Sequence, residues 1–159
     1  MSEPRLRFAT RAVVINEADQ ILLVRFGFDA RAVWTTPGGG IEEDETDEEA
    51  IRRELAEEIG LEIFELGSHL WTRTAHIPLD GGTWDGEVER IYLVRTVHFE
   101  PAPRLGWDGL RAEGVTSVRW WALAELEATD AVFAPRRLPL LVRELILNGP
   151  PAEPIDVGV

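Results

Sequence analysis

Three glutamates, Glu54, Glu57 and Glu58, stand within five positions of each other in this sequence. Residues three and four positions apart share one face of a helix, so their carboxylates can converge on one point. Carboxylate oxygens are the ligands that hard cations such as Mg²⁺ prefer, and without a cation these side chains would repel each other. The spacing therefore predicts a metal site rather than a plain acidic surface.

The segment around these glutamates has the pattern of a helix from Thr46 to Ile59, without Pro or Gly. An apolar stripe at i, i+4 and i+8 consists of Ile51, Leu55 and Ile59. Thr46 followed by Glu49 predicts a capping box, and Gly60 stands where a helix C-terminal glycine belongs. The helix would bury its apolar stripe and expose the carboxylates to a cleft about a quarter turn away.

Glycines and an arginine adjoin this helix. Gly38, Gly39 and Gly40 follow a short predicted strand and let the backbone approach a ligand closely, where a Cβ would obstruct. Glu45 and Arg53 lie on the same side of the segment, so Arg53 can pair with Glu45 and lie beside Glu57. We assign Arg53 to orientation of the carboxylates rather than to the substrate.

The motif that joins these features has fixed spacing over residues 39–61. It reads Gly39, five residues, Glu45, seven residues, Arg53-Glu54-Leu55, one residue, Glu57-Glu58, one residue and Gly60-Leu61. This pattern matches the Nudix box at every specified position, and the chain resembles the Nudix (MutT-like) hydrolases. One small departure is Asp44, where many members have glycine.

The resemblance implies an α/β fold, an α/β/α sandwich with a mixed central sheet. It implies that Glu54, Glu57 and Glu58, with a carbonyl of Gly39 or Gly40, hold Mg²⁺, or Mn²⁺ in its place. The activity implied is hydrolysis of the diphosphate linkage of a nucleoside diphosphate derivative by water attack at phosphorus, the substrate being a nucleoside triphosphate or an ADP-ribose-like compound. The base that accepts the water proton would be Glu57 or Glu54, with the loop residues Glu100 and Glu113 as alternatives.

Contacts to the substrate are predicted from residue type. Trp84 and Trp107 lie in glycine-flanked segments and could stack on a base, since aromatic faces bind any nucleobase. Arg73 and Arg90 alternate within predicted strands and could reach phosphates from one sheet face. Burial of the tryptophans in the core and pairing of the arginines with acids are the ordinary alternatives.

The remaining pattern is mostly β. Strands are predicted at residues 11–15, 21–25, 33–36, 62–66, 70–77, 88–98 and 116–121. Two further helices are predicted at 123–128 and 138–147, and a long loop at 101–114. We expect a single domain over residues 1–148, followed by an irregular tail over 149–159.

Composition excludes several classes of protein. The 159 residues, 45% of them hydrophobic, suffice for one core, and the absence of cysteine excludes disulfides and thiolate metal sites. A net charge of −13 disfavours nucleic acid, so an RNA-end hydrolase ranks low, and metal must mediate phosphate binding. No apolar run predicts a membrane span. We expect a cytoplasmic monomer or homodimer that binds a small nucleotide, with a non-catalytic nucleotide-binding regulatory module as the alternative.

Overall fold

The computed structural model describes residues 2–159. The strands are β1 (Leu6–Ile15), β2 (Ile21–Phe26), β3 (Val33–Thr35), β4 (Gly38–Gly40), β5 (His69–Ala75), β6 (Gly86–Arg95), β7 (Val115–Trp121), β8 (Phe133–Ala134) and β9 (Ile155–Asp156). The helices are α1 (Asp47–Ile59), α2 (Gly106–Ala112), α3 (Leu123–Ala128) and α4 (Leu138–Asn148). None of these helices in residues 2–159 combines the length and the apolarity needed to cross a membrane.

One mixed sheet connects all nine strands. Its main path runs β8-β3-β2-β1-β6-β5-β9, while β4 pairs with β1 and β7 pairs with β2. The central strand β1 is parallel to β6 over its whole length and antiparallel to both β2 and β4. The short glycine strand β4 is thereby held beside the first half of β1, which places the glycines at the edge of a stable sheet.

Alternation along β1 supplies two cores, one on each face of the sheet. Val13 and Ile15 contribute to the core that α3 and α4 cover, together with Trp121 and Leu141. The intervening Ala12 and Val14 belong to the other core. That second core contains the helix stripe Ile51, Leu55 and Ile59 and the α2 residue Leu110. The predicted α/β/α sandwich is confirmed.

The helix α1 begins and ends as its sequence predicts. Thr46 Oγ1 accepts a hydrogen bond from the Glu49 N–H at 3.1 Å, and Glu49 Oε1 accepts one from the Thr46 N–H at 3.1 Å. At the other end Gly60 has φ 76°, and a Cβ there would lie 2.1 Å from the Ala102 carbonyl oxygen. Only glycine fits this position, so both ends of the helix are fixed by local chemistry.

Two predictions about the loops after α1 are wrong. Residues 62–66 form no strand, because Arg52 donates to the Phe64 carbonyl at 3.1 Å and the segment packs against α1 instead of a sheet edge. The predicted loop at 101–114 contains α2, which forms because Leu110 is buried under the sheet. Tertiary packing therefore stabilises α2, although its Pro- and Gly-rich local sequence does not predict a helix.

The tail is also more ordered than predicted. Ile155 and Asp156 form β9, which is parallel to β5 at Trp71 and Thr72. Val157 is buried, with 2% of its surface exposed. The prediction of an irregular tail is wrong for this stretch, because pairing with the edge of β5 satisfies backbone groups that the sequence leaves unassigned.

Replacing Leu55 with alanine should destabilise the protein by about 2–5 kcal/mol, because Leu55 is fully buried at the centre of the α1 stripe. Urea unfolding followed by circular dichroism measures this free energy. Ile63→Ala, at a side chain that is 93% exposed, is the matched control and should change it by less than about 0.5 kcal/mol. Equal effects of the two variants would contradict the burial of the stripe.

Candidate active site

A cleft of about 550 Å³ lies between the glycine strand β4 and the exposed face of α1. Its lining comes from β1, β2, β4, α1 and the segment around α2. The lining residues are Arg7, Arg11, Phe26, Gly38, Gly39, Gly40, Ile41, Glu42, Arg53, Glu54, Glu57, Glu58, Leu105 and Glu113. All the glutamates and glycines that the sequence predicts as metal ligands therefore line one cleft.

Close approach of helix to strand requires the glycines. A Cβ at Gly39 would lie 2.6 Å from Glu54 Oε1, so the Glu54 carboxylate packs directly against the strand backbone. Glu58 is buried and its Oε1 accepts a hydrogen bond from the Gly38 N–H at 3.0 Å. The carboxylates of Glu54 and Glu58 therefore lie at the contact between α1 and β4.

Burial alters the protonation of these carboxylates. It raises the pKa of Glu58 to about 8, although the nearby Arg11 charge and the Gly38 N–H act in the opposite direction. Burial also raises the pKa of Glu54, against the hydrogen bond from Arg53. Two carboxyl groups that resist ionisation when unpaired are suited to a site where a cation supplies the missing charge.

Arg53 is the central cation on α1. Its Nε and Nη2 donate to the two oxygens of Glu45 at 2.7 and 2.8 Å, and its Nη1 donates to Glu54 at 2.9 Å. It also reaches Glu57 at 3.5 Å and the Gly40 carbonyl at 3.0 Å. The hydrogen bonds from Arg53 to Glu45 lower the pKa of Glu45. Arg53 lies where the sequence placed it, as a fixed partner of the acids.

The loop before α1 explains the departure at Asp44. Asp44 has φ 66°, a left-handed conformation that glycine adopts freely and that aspartate tolerates better than most residues. Next to it, Glu45 Oε1 accepts from the Glu42 N–H at 2.8 Å, which closes the loop. Asp44 therefore fits the backbone that the motif requires.

The donor set fits a divalent cation, although its side chains are not yet arranged around one. Within residues 2–159 no three acidic or histidine side chains form a preformed metal cage. Glu54 is turned toward Arg53, and Glu58 toward the Gly38 N–H. Their oxygens, with the backbone carbonyls of β4, are of the type that binds Mg²⁺ or Mn²⁺.

The other wall of the cleft is cationic. Arg7 and Arg11 lie beyond the glycine strand, where a Cβ at Gly40 would be 2.9 Å from the Arg7 guanidinium carbon. Because side chains alternate along a strand, Gly39 faces the carboxylates while Gly38 and Gly40 face the arginines. The cleft therefore presents metal-binding acids on one side and guanidinium groups on the other.

These arginines belong to a buried row of alternating charges, the charge ladder of Arg7, Glu87, Arg11, Glu89 and Arg73. Successive contacts measure 3.3 Å for Arg7–Glu87, 3.2 Å for Arg11–Glu89 and 3.1 Å for Arg73–Glu89. Arg11 also donates to the Thr36 carbonyl at 3.0 Å. Arg7 is the most exposed member, with 37% of its side chain accessible, so it is the member most available to a ligand.

The predicted substrate arginines lie elsewhere. Arg73 is held in the charge ladder by Glu89 and is not among the residues that line the cleft. Arg90 donates twice to Asp47, at 2.6 Å each, and its guanidinium lies over the Phe8 ring at 5.0 Å. In this structure both arginines pair with acids, which was the alternative to phosphate binding.

The predicted aromatic contacts are not in the cleft wall either. Trp84 lies in the turn between β5 and β6, where its backbone pairs with Leu79. Trp107 is the second residue of α2 and is 55% exposed, two residues from the lining residue Leu105. Of the two loop bases, Glu113 lines the cleft, whereas Glu100 is outside it and contacts His98 at 3.3 Å.

Several lining residues are not predicted as site residues from the sequence, among them Arg7, Arg11 and Phe26. Arg11 was assigned only to a strand, and Arg7 lies in a half of β1 that the pattern did not predict. Phe26 reads as the end of an apolar strand. The available signal for Arg7 and Arg11 was their i, i+4 spacing on one strand face, which marks two charges in an otherwise apolar strand.

A second anchor holds α1 over the sheet. Asp47, the first residue of α1, accepts two hydrogen bonds from Arg90 and one of 2.5 Å from the Tyr92 hydroxyl. Both donors come from β6, and His69 stacks on Tyr92 with ring centroids 5.1 Å apart. This Asp47 clamp fixes the N-terminal end of the helix that carries the carboxylates.

Comparison with known proteins decides the family. A family model described as the NUDIX domain matches residues 5–141. The chain belongs to the Nudix family. The predicted Nudix (MutT-like) hydrolase is confirmed, and with it the enzyme class of pyrophosphohydrolase. The family acts on nucleoside diphosphate derivatives and generally uses divalent metal ions.

Relatives of this Nudix protein cover it to different extents. Nudix hydrolase 25 of Arabidopsis thaliana is 28% identical over 130 residues, 76% of this chain and 74% of that protein. An RNA pyrophosphohydrolase of Marinomonas sp. is 49% identical over 51 residues, 31% of this chain and 30% of that protein. The crystal structure of a MutT protein from Methanosarcina mazei has a TM-score of 0.68 at 17% identity, covers 92% of this chain and 97% of that one, and shows the shared fold.

Asp47→Asn should lower the free energy of unfolding by about 2 kcal/mol at pH 7, because charge-assisted hydrogen bonds from Arg90 and Tyr92 are lost. The hydrogen bond from Arg90 lowers the pKa of Asp47, so its stabilisation is complete above the ordinary value of 3.8, declines below it and is lost as pH falls through the lowered pKa of the folded state. Urea unfolding at several pH values measures the difference between the two proteins.

Glu48→Gln, whose side chain is 57% exposed on the same turn, is the control and should have little effect. A difference between wild type and Asp47→Asn that stayed constant from pH 7 to pH 3 would contradict the clamp.

Proposed function

We propose that this Nudix protein is a Mg²⁺-dependent hydrolase, with Mn²⁺ as a possible substitute, that cleaves the diphosphate linkage of a small nucleoside diphosphate derivative. The observation that carries the proposal is the packing of Glu54 against Gly39, which gathers Glu54, Glu57 and Glu58 beside one cleft. A cytoplasmic location, a monomeric or homodimeric state and a single domain belong to the same proposal, and β9 and Val157 extend that domain beyond the predicted boundary at residue 148.

The two walls of the cleft suit a substrate with several phosphate charges. Glu54, Glu57, Glu58 and a carbonyl of Gly39 or Gly40 would hold the cation, although the Gly40 carbonyl already accepts from Arg53. A bound divalent cation would neutralise phosphate charge and lower the pKa of a water molecule. Arg7 and Arg11, on the opposite wall, are positioned to pair with phosphate oxygens.

Three groups in the cleft are candidates for the base that accepts the water proton. Glu57 has 31% of its side chain exposed and has only a long contact with Arg53, which leaves an oxygen free toward the cleft. Glu54 is more enclosed and is bonded to Arg53 at 2.9 Å. Glu113 approaches from the end of α2 on the same side as Glu58. We rank Glu57 first, then Glu54, and keep Glu113 as the alternative.

The substrate is proposed to be a nucleoside triphosphate or an ADP-ribose-like sugar nucleotide. A 5′-triphosphate end of RNA is the second candidate, because the 51-residue similarity to an RNA pyrophosphohydrolase favours it. The net charge of −13 opposes a long polyanion, since the arginines of the cleft lie inside it and not along an open track. A non-catalytic nucleotide-binding module would bind the same ligands without turnover.

Wild-type protein should release phosphate or nucleotide from at least one member of a panel of nucleoside triphosphates, ADP-ribose, sugar nucleotides and 5′-triphosphorylated RNA, and only with Mg²⁺ or Mn²⁺. Glu57→Gln should lower kcat by roughly 100-fold or more, because it removes a metal ligand and the first-ranked base. Glu100→Gln, at a side chain 90% exposed outside the cleft, is the control and should keep wild-type rates.

Binding of a nucleotide and metal without turnover of any panel member would favour the regulatory module over the hydrolase. Turnover of triphosphorylated RNA alone would replace the small-molecule substrate by the second candidate.

The base can be separated from the metal ligands by titrating Mg²⁺. Glu113→Gln should lower kcat by less than about tenfold, whereas the loss in Glu57→Gln should persist at saturating Mg²⁺, because extra cation restores occupancy but not proton transfer. Steady-state kinetics across Mg²⁺ concentration and pH provide the measurement. A larger loss in Glu113→Gln, with rescue of Glu57→Gln by Mg²⁺, would assign the base to Glu113.

A further inference from the structure

Phe26 is an apolar surface inside a cleft whose other walls are charged. It lies at the end of β2 and 47% of its surface is exposed. Among the lining residues that the structure describes it is the only aromatic one, and Ile41 and Leu105 are the other large apolar side chains there. An exposed phenylalanine ring gains nothing from water, so its position in a ligand-sized cleft requires an explanation.

Alternation along β2 places Phe26 on the same side of the sheet as Leu22 and Val24, the side that α1 covers, and a β-bulge in β7 lies opposite it. The register of β2 with β7 passes from Arg25↔Ser117 to Phe26↔Val115, so Thr116 is left without a partner. The Thr116 side chain fixes this irregularity, because its Oγ1 accepts from Arg25 Nη1 at 2.9 Å and donates to the Gly27 carbonyl at 3.0 Å. The bulge therefore lies opposite Phe26, the last residue of β2.

Gly114 supports the ring from behind. It has φ 92°, and a Cβ there would lie 3.1 Å from Phe26 Cε1. The Gly27 N–H donates to the Gly114 carbonyl at 2.9 Å, which holds the two backbones together. The ring is therefore fixed along one edge and open toward the cleft, as a stacking surface must be.

We propose that Phe26 is the surface on which the base of the nucleotide substrate stacks, an inference that rests on the proposed function of the cleft. The carboxylates and the arginines Arg7 and Arg11 take the charged end of the ligand, and Phe26 takes its flat aromatic end. Because every base has a π-face, this contact contributes affinity and does not select one base. Phe26 thus replaces Trp84 and Trp107 as the proposed aromatic contact.

A matched pair of non-hydrolysable probes tests the assignment. α,β-Methylene-ADP carries a base and methylenediphosphonate lacks one, while both carry the same bridged phosphorus pair. With Mg²⁺ present, Phe26→Ala should weaken α,β-methylene-ADP about tenfold in isothermal titration calorimetry. Methylenediphosphonate should bind with unchanged affinity. Phe26→Tyr, which keeps the flat ring, should retain the affinity for both probes.

Two further variants serve as controls for this experiment. Phe26→Leu keeps an apolar side chain but loses the ring face, and should show the same selective loss as Phe26→Ala. Phe28→Ala, at a ring that is 66% exposed and outside the cleft lining, should leave both affinities unchanged. Thermal melting followed by circular dichroism identifies any variant that fails to fold.

Equal weakening of both probes by Phe26→Ala, or unchanged affinity for α,β-methylene-ADP, would overturn the stacking assignment. The proposed hydrolase fails separately, since wild-type protein would then bind α,β-methylene-ADP but turn over no nucleotide in the panel. A wild-type protein that binds neither probe would overturn both.

Discussion

Arg53 makes the acidic face of α1 compatible with a folded chain. One guanidinium contacts Glu45, Glu54 and Glu57 and also the Gly40 carbonyl, so a single side chain links the helix to the loop and to the glycine strand. Burial already disfavours the ionised form of these carboxyl groups, and without the Arg53 charge the ionised groups would also repel one another. Because Arg53, Glu54 and Glu57 lie on the same helix, their relative positions are fixed by backbone geometry.

The parts of the site that depend on neighbouring positions in sequence were predictable. The capping box at Thr46, the glycine at position 60 and the register of the glutamates all follow from spacing within one helix. Arg90 and Phe26 were not predictable in the same way. The partner of Arg90 is Asp47, 43 positions away, and the bulge opposite Phe26 is formed by Thr116 of β7. Residues 62–66 were misassigned for the same reason, since α1 and not a strand binds them.

The glycine strand β4 lets two opposite charges share one narrow site. Gly39 accommodates the Glu54 carboxylate on one face, and Gly40 accommodates the Arg7 guanidinium on the other. A side chain in place of Gly39 would push the Glu54 carboxylate away from the β4 backbone, and a side chain in place of Gly40 would push the Arg7 guanidinium away. The acids on α1 are thereby combined with a cationic wall that comes from β1.

The charge ladder constrains how this part of the protein can change. Glu87 and Glu89 are almost fully buried and are compensated by Arg7, Arg11 and Arg73. Loss of one member leaves a buried charge without its partner, which is far more damaging than exchange of a whole pair for apolar residues. In evolution, a charged residue of the ladder can therefore be replaced only together with the residue of opposite charge that it contacts. In a survey of single substitutions, Glu89 would be as intolerant as a residue that touches the substrate, for reasons of charge balance alone.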